Sequence, residues 1–133
     1  MNRTSRITAI RVGAVALTGV AALGMATPAL AKDGDIIREG SCSARSDWKL
    51  KASEENNRIE VEGEVDSNVN GQNWRWKLLH NGSVSARGRA TTVAPSGSFD
   101  VRRLMVDLAG EDSIGFRAKN PNTGEVCRGS LKY

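Results

Sequence analysis

The chain has 133 residues, which is enough for one domain, and it carries 19 Lys and Arg residues against 15 Asp and Glu residues, a formal net charge of +4. It contains one His and two Cys residues, and the cysteines do not form a Cys-x-x-Cys pair. This composition argues against a zinc site, a redox site and catalysis that needs several imidazoles, and no cofactor is predicted.

The first 31 residues have the organisation of a cleavable signal peptide. An acid-free basic segment with Arg3, Arg6 and Arg11 precedes a weakly polar run over residues 12–25. Pro28 then breaks helical continuity, and Ala29-Leu30-Ala31 supplies the small-x-small pattern of a signal peptidase site. Cleavage is therefore predicted after Ala31. A membrane anchor is the alternative, but the apolar run is shorter than the roughly 20 residues that cross a bilayer.

The sequence lacks three motifs that would indicate another export route or a membrane anchor. No adjacent arginine pair is present in residues 1–31, which favours general secretion of an unfolded chain. No Cys stands directly after the cleavage site, and no hydrophobic tail precedes Tyr133. We therefore expect a secreted, extracellular protein without a membrane anchor.

Export changes what the charge and the cysteines imply. Removal of residues 1–31 would leave 102 residues with 16 basic and 15 acidic side chains, a net charge of +1, which argues against nucleic acid as a partner. Outside the reducing cytoplasm, Cys42 and Cys127 are predicted to form a disulfide. A bond closing so long a loop is worth on the order of 4 kcal/mol in the chain-entropy model.

Residues 32–40 are polar with two Gly residues and are predicted to be a flexible lead-in. Residues 48–52 and 59–65 then alternate apolar and charged side chains, which predicts two half-buried strands. A tight turn through Asn56-Asn57 would place Lys51 opposite Glu62 and Lys49 opposite Glu64. We therefore predict a hairpin with a solvated ladder of opposite charges.

The remaining residues continue the same strand pattern. Further strands are predicted at residues 74–78, 84–92, 99–106, 114–118 and 126–132, separated by segments rich in Asn, Gly, Pro and Ser. No segment has a sustained helical period. Seven or eight antiparallel strands in residues 41–133 predict an all-β, single Greek-key β-sandwich of the immunoglobulin or fibronectin III kind, with a small β-barrel as the alternative.

Several short motifs give the chain a resemblance to a known group of proteins. They are Gly40-Ser41-Cys42-Ser43, Trp48-Lys49-Leu50, Asn70-Gly71-Gln72 followed by Trp74, Ala94-Pro95-Ser96-Gly97-Ser98-Phe99, and the run from Asn120 to Cys127. With them the chain resembles a family of small secreted actinobacterial proteins without an assigned function. The resemblance implies export, a β-sandwich and structural roles for Cys42, Cys127, Trp48 and Trp74. It implies no activity.

Two segments offer weak candidates for metal or acid–base chemistry. Asp66, Asn68 and Asn70, followed by Gly71, match the first half of a calcium loop, but Lys77 stands where the bidentate Glu belongs. A turn rich in Asn would have the same residues at these positions, and we therefore predict no metal site. His80 lies beside an Asn-Gly turn and is expected to be solvated.

Trp74 and Trp76 share one strand face with Leu78. Exposed aromatics at this spacing can stack on a sugar ring, but a sandwich needs large residues on its central strands, so we predict that they belong to the core.

The opposite face of the same strand is the best functional candidate. If the strand that carries Arg75 and Lys77 joins the last two strands in one sheet, that face also collects Arg117, Lys119, Arg128 and Lys132, and Arg87 and Arg89 extend it. Such a face could attract an anionic polymer of the cell envelope, an acidic protein or nucleic acid, although the net charge of +1 argues against nucleic acid. The alternative is that alternating Arg and Lys only keep exposed strands soluble.

The sequence therefore predicts a secreted, non-enzymatic binding module. A small enzyme, which would need a pocket that joins His80 to a carboxylate, is one alternative. A protease inhibitor with an exposed loop at residues 93–98 is the other.

Overall fold

The computed structural model describes residues 34–133, so the predicted signal peptide and its cleavage site after Ala31 lie outside the described residues. Eight β-strands follow one another in this part of the chain: β1 Ile36–Ser41, β2 Asp47–Glu55, β3 Arg58–Asp66, β4 Asn73–His80, β5 Ser83–Thr91, β6 Ser98–Val106, β7 Ser113–Lys119 and β8 Val126–Lys132. No helix among residues 34–133 is long and apolar enough to cross a membrane.

The strands form two antiparallel four-stranded sheets, with the orders β1-β2-β3-β6 and β5-β4-β7-β8. The predicted all-β sandwich is therefore confirmed. At one edge of the sandwich β5 lies beside β6, so the consecutive strands β4, β5 and β6 are neighbours in space. The strand before them in the chain, β3, lies on the other side of β6, which gives a Greek-key arrangement. The order differs from that of an immunoglobulin constant domain, in which the second and third strands lie in different sheets, because β2 and β3 are neighbours in one sheet here.

Residues 36–40, predicted as part of a flexible lead-in, instead form most of β1. This strand pairs with β2 along its whole length, from Ile36 opposite Ala52 to Ser41 opposite Asp47. Ile36 is partly buried against the core, while four of the other five residues in the strand are exposed. The alternation that marks the other strands is therefore weak here, and contact with β2 defines the strand.

The hairpin of β2 and β3 has the predicted register. Lys49 lies opposite Glu64 and Lys51 lies opposite Glu62. Asn56 and Asn57 both have positive φ, of 50° and 63°. Positive φ at both central residues is what a two-residue hairpin turn requires when its twist matches the right-handed twist of the strands. Lys49 Nζ is 2.8 Å from Glu64 Oε2, and this hydrogen bond raises the pKa of Lys49.

The core lies between the two sheets, and glycines in the strands make room for its aromatic rings. A Cβ at Gly63 would lie 2.7 Å from the Phe116 ring, and one at Gly88 would lie 2.9 Å from the Trp76 ring. Trp48 covers Gly40 and Gly129 in the same way, and so joins β1, β2 and β8. Trp74, Trp76 and Leu78 are buried, with 1%, 6% and 0% of their surface exposed, which confirms that they belong to the core.

The two ends of the described chain are held together covalently. Cys42 and Cys127 form the predicted disulfide, with their Cα atoms 4.3 Å apart, and β1 contacts β8 beside it. The buried Glu125 carboxylate reinforces this joint by accepting hydrogen bonds from the Ser46 hydroxyl at 2.7 Å, the Ser46 amide at 2.9 Å and the Ala44 amide at 3.1 Å. The loop after β1 is thereby anchored to the start of β8.

Candidate functional site

The outer face of the sheet β5-β4-β7-β8 carries two parallel rows of basic side chains. One row crosses the sheet as Arg89, Arg75, Lys119 and Val126, and the other as Arg87, Lys77, Arg117 and Arg128. Seven of these eight outward positions are therefore cationic. We call the seven basic residues of the two rows the basic face.

Local structure explains why these side chains point the same way. Successive side chains of a strand alternate between the two faces of a sheet, so residues two apart share one face. Arg75 and Lys77 alternate in β4 with the buried Trp74, Trp76 and Leu78. In β7, Arg117 and Lys119 flank the buried Ala118 in the same manner. The apolar residues of each strand thus fill the core and direct the basic residues outward.

The register of the sheet then brings like charges together. Arg75 lies directly opposite Arg89 on one side and Lys119 on the other. Lys77 lies opposite Arg87 and Arg117, and Arg117 in turn lies opposite Arg128. Like charges placed opposite each other on neighbouring strands destabilise a sheet. The basic face therefore contains five cross-strand repulsions.

No carboxylate compensates these charges within the part of the chain that the structure describes. None of the seven side chains forms an ion pair among residues 34–133. Six of the seven are exposed and Lys77 is half-buried. A shallow surface depression runs between the rows and is lined by all seven.

Lys132, which the sequence assigned to the same group, lies apart from it. It is outward on β8 but pairs with Ser113 at the far end of β7, and its Nζ is 3.4 Å from Glu111 Oε1. Arg87 and Arg89, which the sequence placed only as an extension, are instead full members of the two rows.

The equivalent surface of the other sheet has a different charge pattern. Its two central rows are Glu39, Lys49, Glu64 and Asp100, and Ile37, Lys51, Glu62 and Arg102. Opposite charges in these rows form ion pairs, such as Arg102 Nη2 to Glu62 Oε2 at 2.6 Å. The molecule therefore has one face of mixed sign and one face of a single sign.

The segment that resembles a calcium loop forms a turn held by hydrogen bonds within the segment and to residues 92–97. Asp66 Oδ1 accepts a hydrogen bond from the Asn68 amide at 3.1 Å, and Asn68 and Gly71 both have positive φ. The described residues contain no group of three or more His, Cys, Asp and Glu side chains that could hold a metal ion.

His80 was expected to be solvated, and this expectation is wrong, because the side chain lies against a buried carboxylate. Its Nε2 donates to Asp112 Oδ1 at 2.7 Å, and the side chain is only 15% exposed. Asp112 also accepts from Asn81 Nδ2 at 3.0 Å and from the Leu108 amide at 3.2 Å. Burial raises the pKa of Asp112, but these three donors outweigh that effect and hold the pKa below its ordinary value of 3.8.

The hydrogen bonds of Asp112 define a structural role. The backbone of Asp112 exchanges two hydrogen bonds with Tyr133, and its carboxylate joins the turn after β4 to the loop before β7. Sequence reasoning does not identify Asp112 or Glu125, because their partners are distant along the chain and no local spacing marks them.

The loop proposed for a protease inhibitor is a closed turn. Val93 pairs with Ser98, and the Gly97 carbonyl accepts hydrogen bonds from the Ser67 amide and hydroxyl, both at 3.0 Å. The Val93 side chain is 60% exposed at the start of the turn. The inhibitor alternative stays a prediction.

The fold and the basic face thus define a small, disulfide-closed β-sandwich with one strongly cationic sheet surface. Comparison of the chain with protein-family models, with curated proteins and with solved structures returned no match.

Proposed function

We propose that the protein is a secreted, non-enzymatic binding module that engages an anionic partner through its basic face. The observation that carries this proposal is the presence of seven basic side chains at eight neighbouring outward positions, with no acidic side chain among them. The partner would be an anionic polymer of the cell envelope or an acidic secreted protein.

The mixed surface of the other sheet argues against a purely solubilising role. Alternating charges such as Lys49 and Glu64 keep that surface soluble and stabilise it through ion pairs. The basic face has the same strand spacing but contains only repulsive pairs, at a cost in stability of roughly 0.2–1 kcal/mol each. A bound anion would offset this cost, because it lies between cations that otherwise repel one another.

Secretion and the resemblance to small secreted actinobacterial proteins belong to the same proposal. The Cys42–Cys127 disulfide is compatible with an oxidising compartment outside the cytoplasm. An envelope polymer would also be accessible to a released protein.

The proposal can be tested by cosedimentation of the purified, oxidised protein with isolated cell envelopes. The double variant Arg75→Glu, Arg117→Glu reverses one charge in each row. We expect binding at low salt that is lost at high salt, and at least about a tenfold loss of affinity in the double variant.

Lys132→Glu is the matched control, because it reverses an exposed charge on the same sheet outside the rows. It should sediment like the original protein. Binding that is insensitive to salt and survives the double reversal would contradict a role for the basic face.

A further inference from the structure

We infer that the basic face is built for a linear polymer of phosphate groups that carries no aromatic bases. This inference rests on the proposed function and names the chemical class of its ligand. It follows from three properties of the surface: what the rows contain, what they lack, and how far apart their charges lie.

The rows lack the apolar centre that a folded protein partner requires. Stable protein–protein interfaces place aromatic or aliphatic anchors in their middle and deplete it of charge. Here the middle of the face is occupied by Arg75, Lys77 and Arg117, and the one apolar position of the rows is Val126 at the margin. A flexible charged chain does not need an apolar anchor, because charge neutralisation and release of counterions supply the affinity.

The spacing of the cations favours phosphate over carboxylate. Five of the seven are arginines, whose planar guanidinium groups present five N–H donors. Neighbouring strands are about 4.8 Å apart, and residues two apart in a strand are roughly 7 Å apart. The tetrahedral oxygens of a phosphate diverge, so one group can accept hydrogen bonds from cations on two strands. A carboxylate has only two oxygens, which lie in one plane, so it offers fewer directions for donors on neighbouring strands.

The face also lacks aromatic platforms for nucleic-acid bases. Proteins that bind single-stranded nucleic acids stack bases on exposed aromatic side chains, which contributes about 1–3 kcal/mol per base. None of the six aromatic residues presents an exposed ring on the face. Trp76 borders the depression but is buried, with 6% of its surface exposed. Trp74, Phe99 and Phe116 are also buried, and Trp48 and Tyr133 are partly buried against the core. The preferred polymer therefore carries phosphates without bases.

Titration of the oxidised protein with inorganic polyphosphate tests this inference. Poly-L-glutamate and a single-stranded DNA homopolymer, matched in total charge, serve as the comparison probes. We expect polyphosphate to bind at least about tenfold more tightly than either. The logarithm of its binding constant should fall with the logarithm of salt concentration with a slope of about −5 if all seven cations contribute.

The possible results separate the inference from the proposed function. Equal or tighter binding of polyglutamate would overturn the phosphate preference and leave an anion-binding face in place. Tighter binding of single-stranded DNA would overturn the claim that bases are not recognised. Failure of all three polymers to bind would overturn both proposals. Arg117→Glu should weaken polyphosphate binding about tenfold, whereas Lys132→Glu should not change it.

Discussion

Reversing the charge of Arg117 should make the protein more stable while it weakens ligand binding. Arg117 is exposed and lies directly opposite Lys77 on one side and Arg128 on the other. Arg117→Glu replaces two cross-strand repulsions by two attractions. Each repulsion or attraction is worth roughly 0.2–1 kcal/mol, so the loss of two repulsions and the gain of two attractions should raise the free energy of unfolding by about 0.8–4 kcal/mol at low salt.

Urea unfolding of the oxidised protein, followed at low and at high ionic strength, measures this effect. The Debye length falls from roughly 30 Å at 0.01 M to about 3 Å at 1 M salt, so most of the gain should disappear at high salt. Arg117→Gln, which removes the repulsions without adding attractions, should show about half the gain.

Lys132→Glu is the control for the change of residue type. It loses the ion pair with Glu111 and relieves no repulsion between the rows, so its stability should stay equal or fall by up to about 0.5 kcal/mol. A loss of stability in Arg117→Glu at low salt would show that the cations of the basic face do not repel one another in solution. A gain that persists unchanged at high salt would refute its electrostatic origin.

Three further changes test the fold. Gly63→Ala would place a Cβ 2.7 Å from the Phe116 ring and should destabilise the protein by about 1–3 kcal/mol in urea unfolding; an unchanged midpoint would refute this packing. Asp112→Asn should cost about 1–3 kcal/mol at neutral pH. The pKa of Asp112 in the folded protein lies below 3.8, so its ionised carboxylate stabilises the fold above that pH. This stabilisation is lost as the pH falls through the folded-state pKa. The difference in stability between the variant and the original protein should therefore shrink in acid. Replacing Cys42 and Cys127 together by Ser should lower stability by up to about 4 kcal/mol, and a thermal unfolding curve that does not shift would contradict the role of the disulfide.

The hairpin of β2 and β3 shows what local pattern can predict. Strand alternation has a period of two, and a two-residue turn fixes the register of the strands it joins. The positions of Asn56 and Asn57 are therefore sufficient to predict that Lys49 lies opposite Glu64, as it does in the folded chain.

The first strand shows where local pattern fails. Its pairing partner is β2, and Gly40 is suited to its place because the Trp48 ring lies over it. Neither contact leaves a periodic signal within residues 36–40, so the sequence predicts a lead-in there. The same reason hides Asp112 and Glu125, whose burial and hydrogen bonds depend on loops that come together only in the folded chain.

The candidate site is partly predictable for a related reason. Alternation with Trp74 and Trp76 shows that Arg75 and Lys77 point away from the core, but it does not show which strands flank them. The register excludes Lys132 from the rows and includes Arg87 and Arg89 in full.

The sequence by itself therefore determined the strand class, the disulfide partners and the side of each strand on which its basic residues lie. These properties depend on alternation and on the presence of only two cysteines, which are local or compositional. Only the tertiary structure decided that seven cations are immediate neighbours without a carboxylate among them. That arrangement depends on the order and register of β5, β4, β7 and β8. The packing of the two sheets specifies this order and register through contacts between residues that are far apart along the chain.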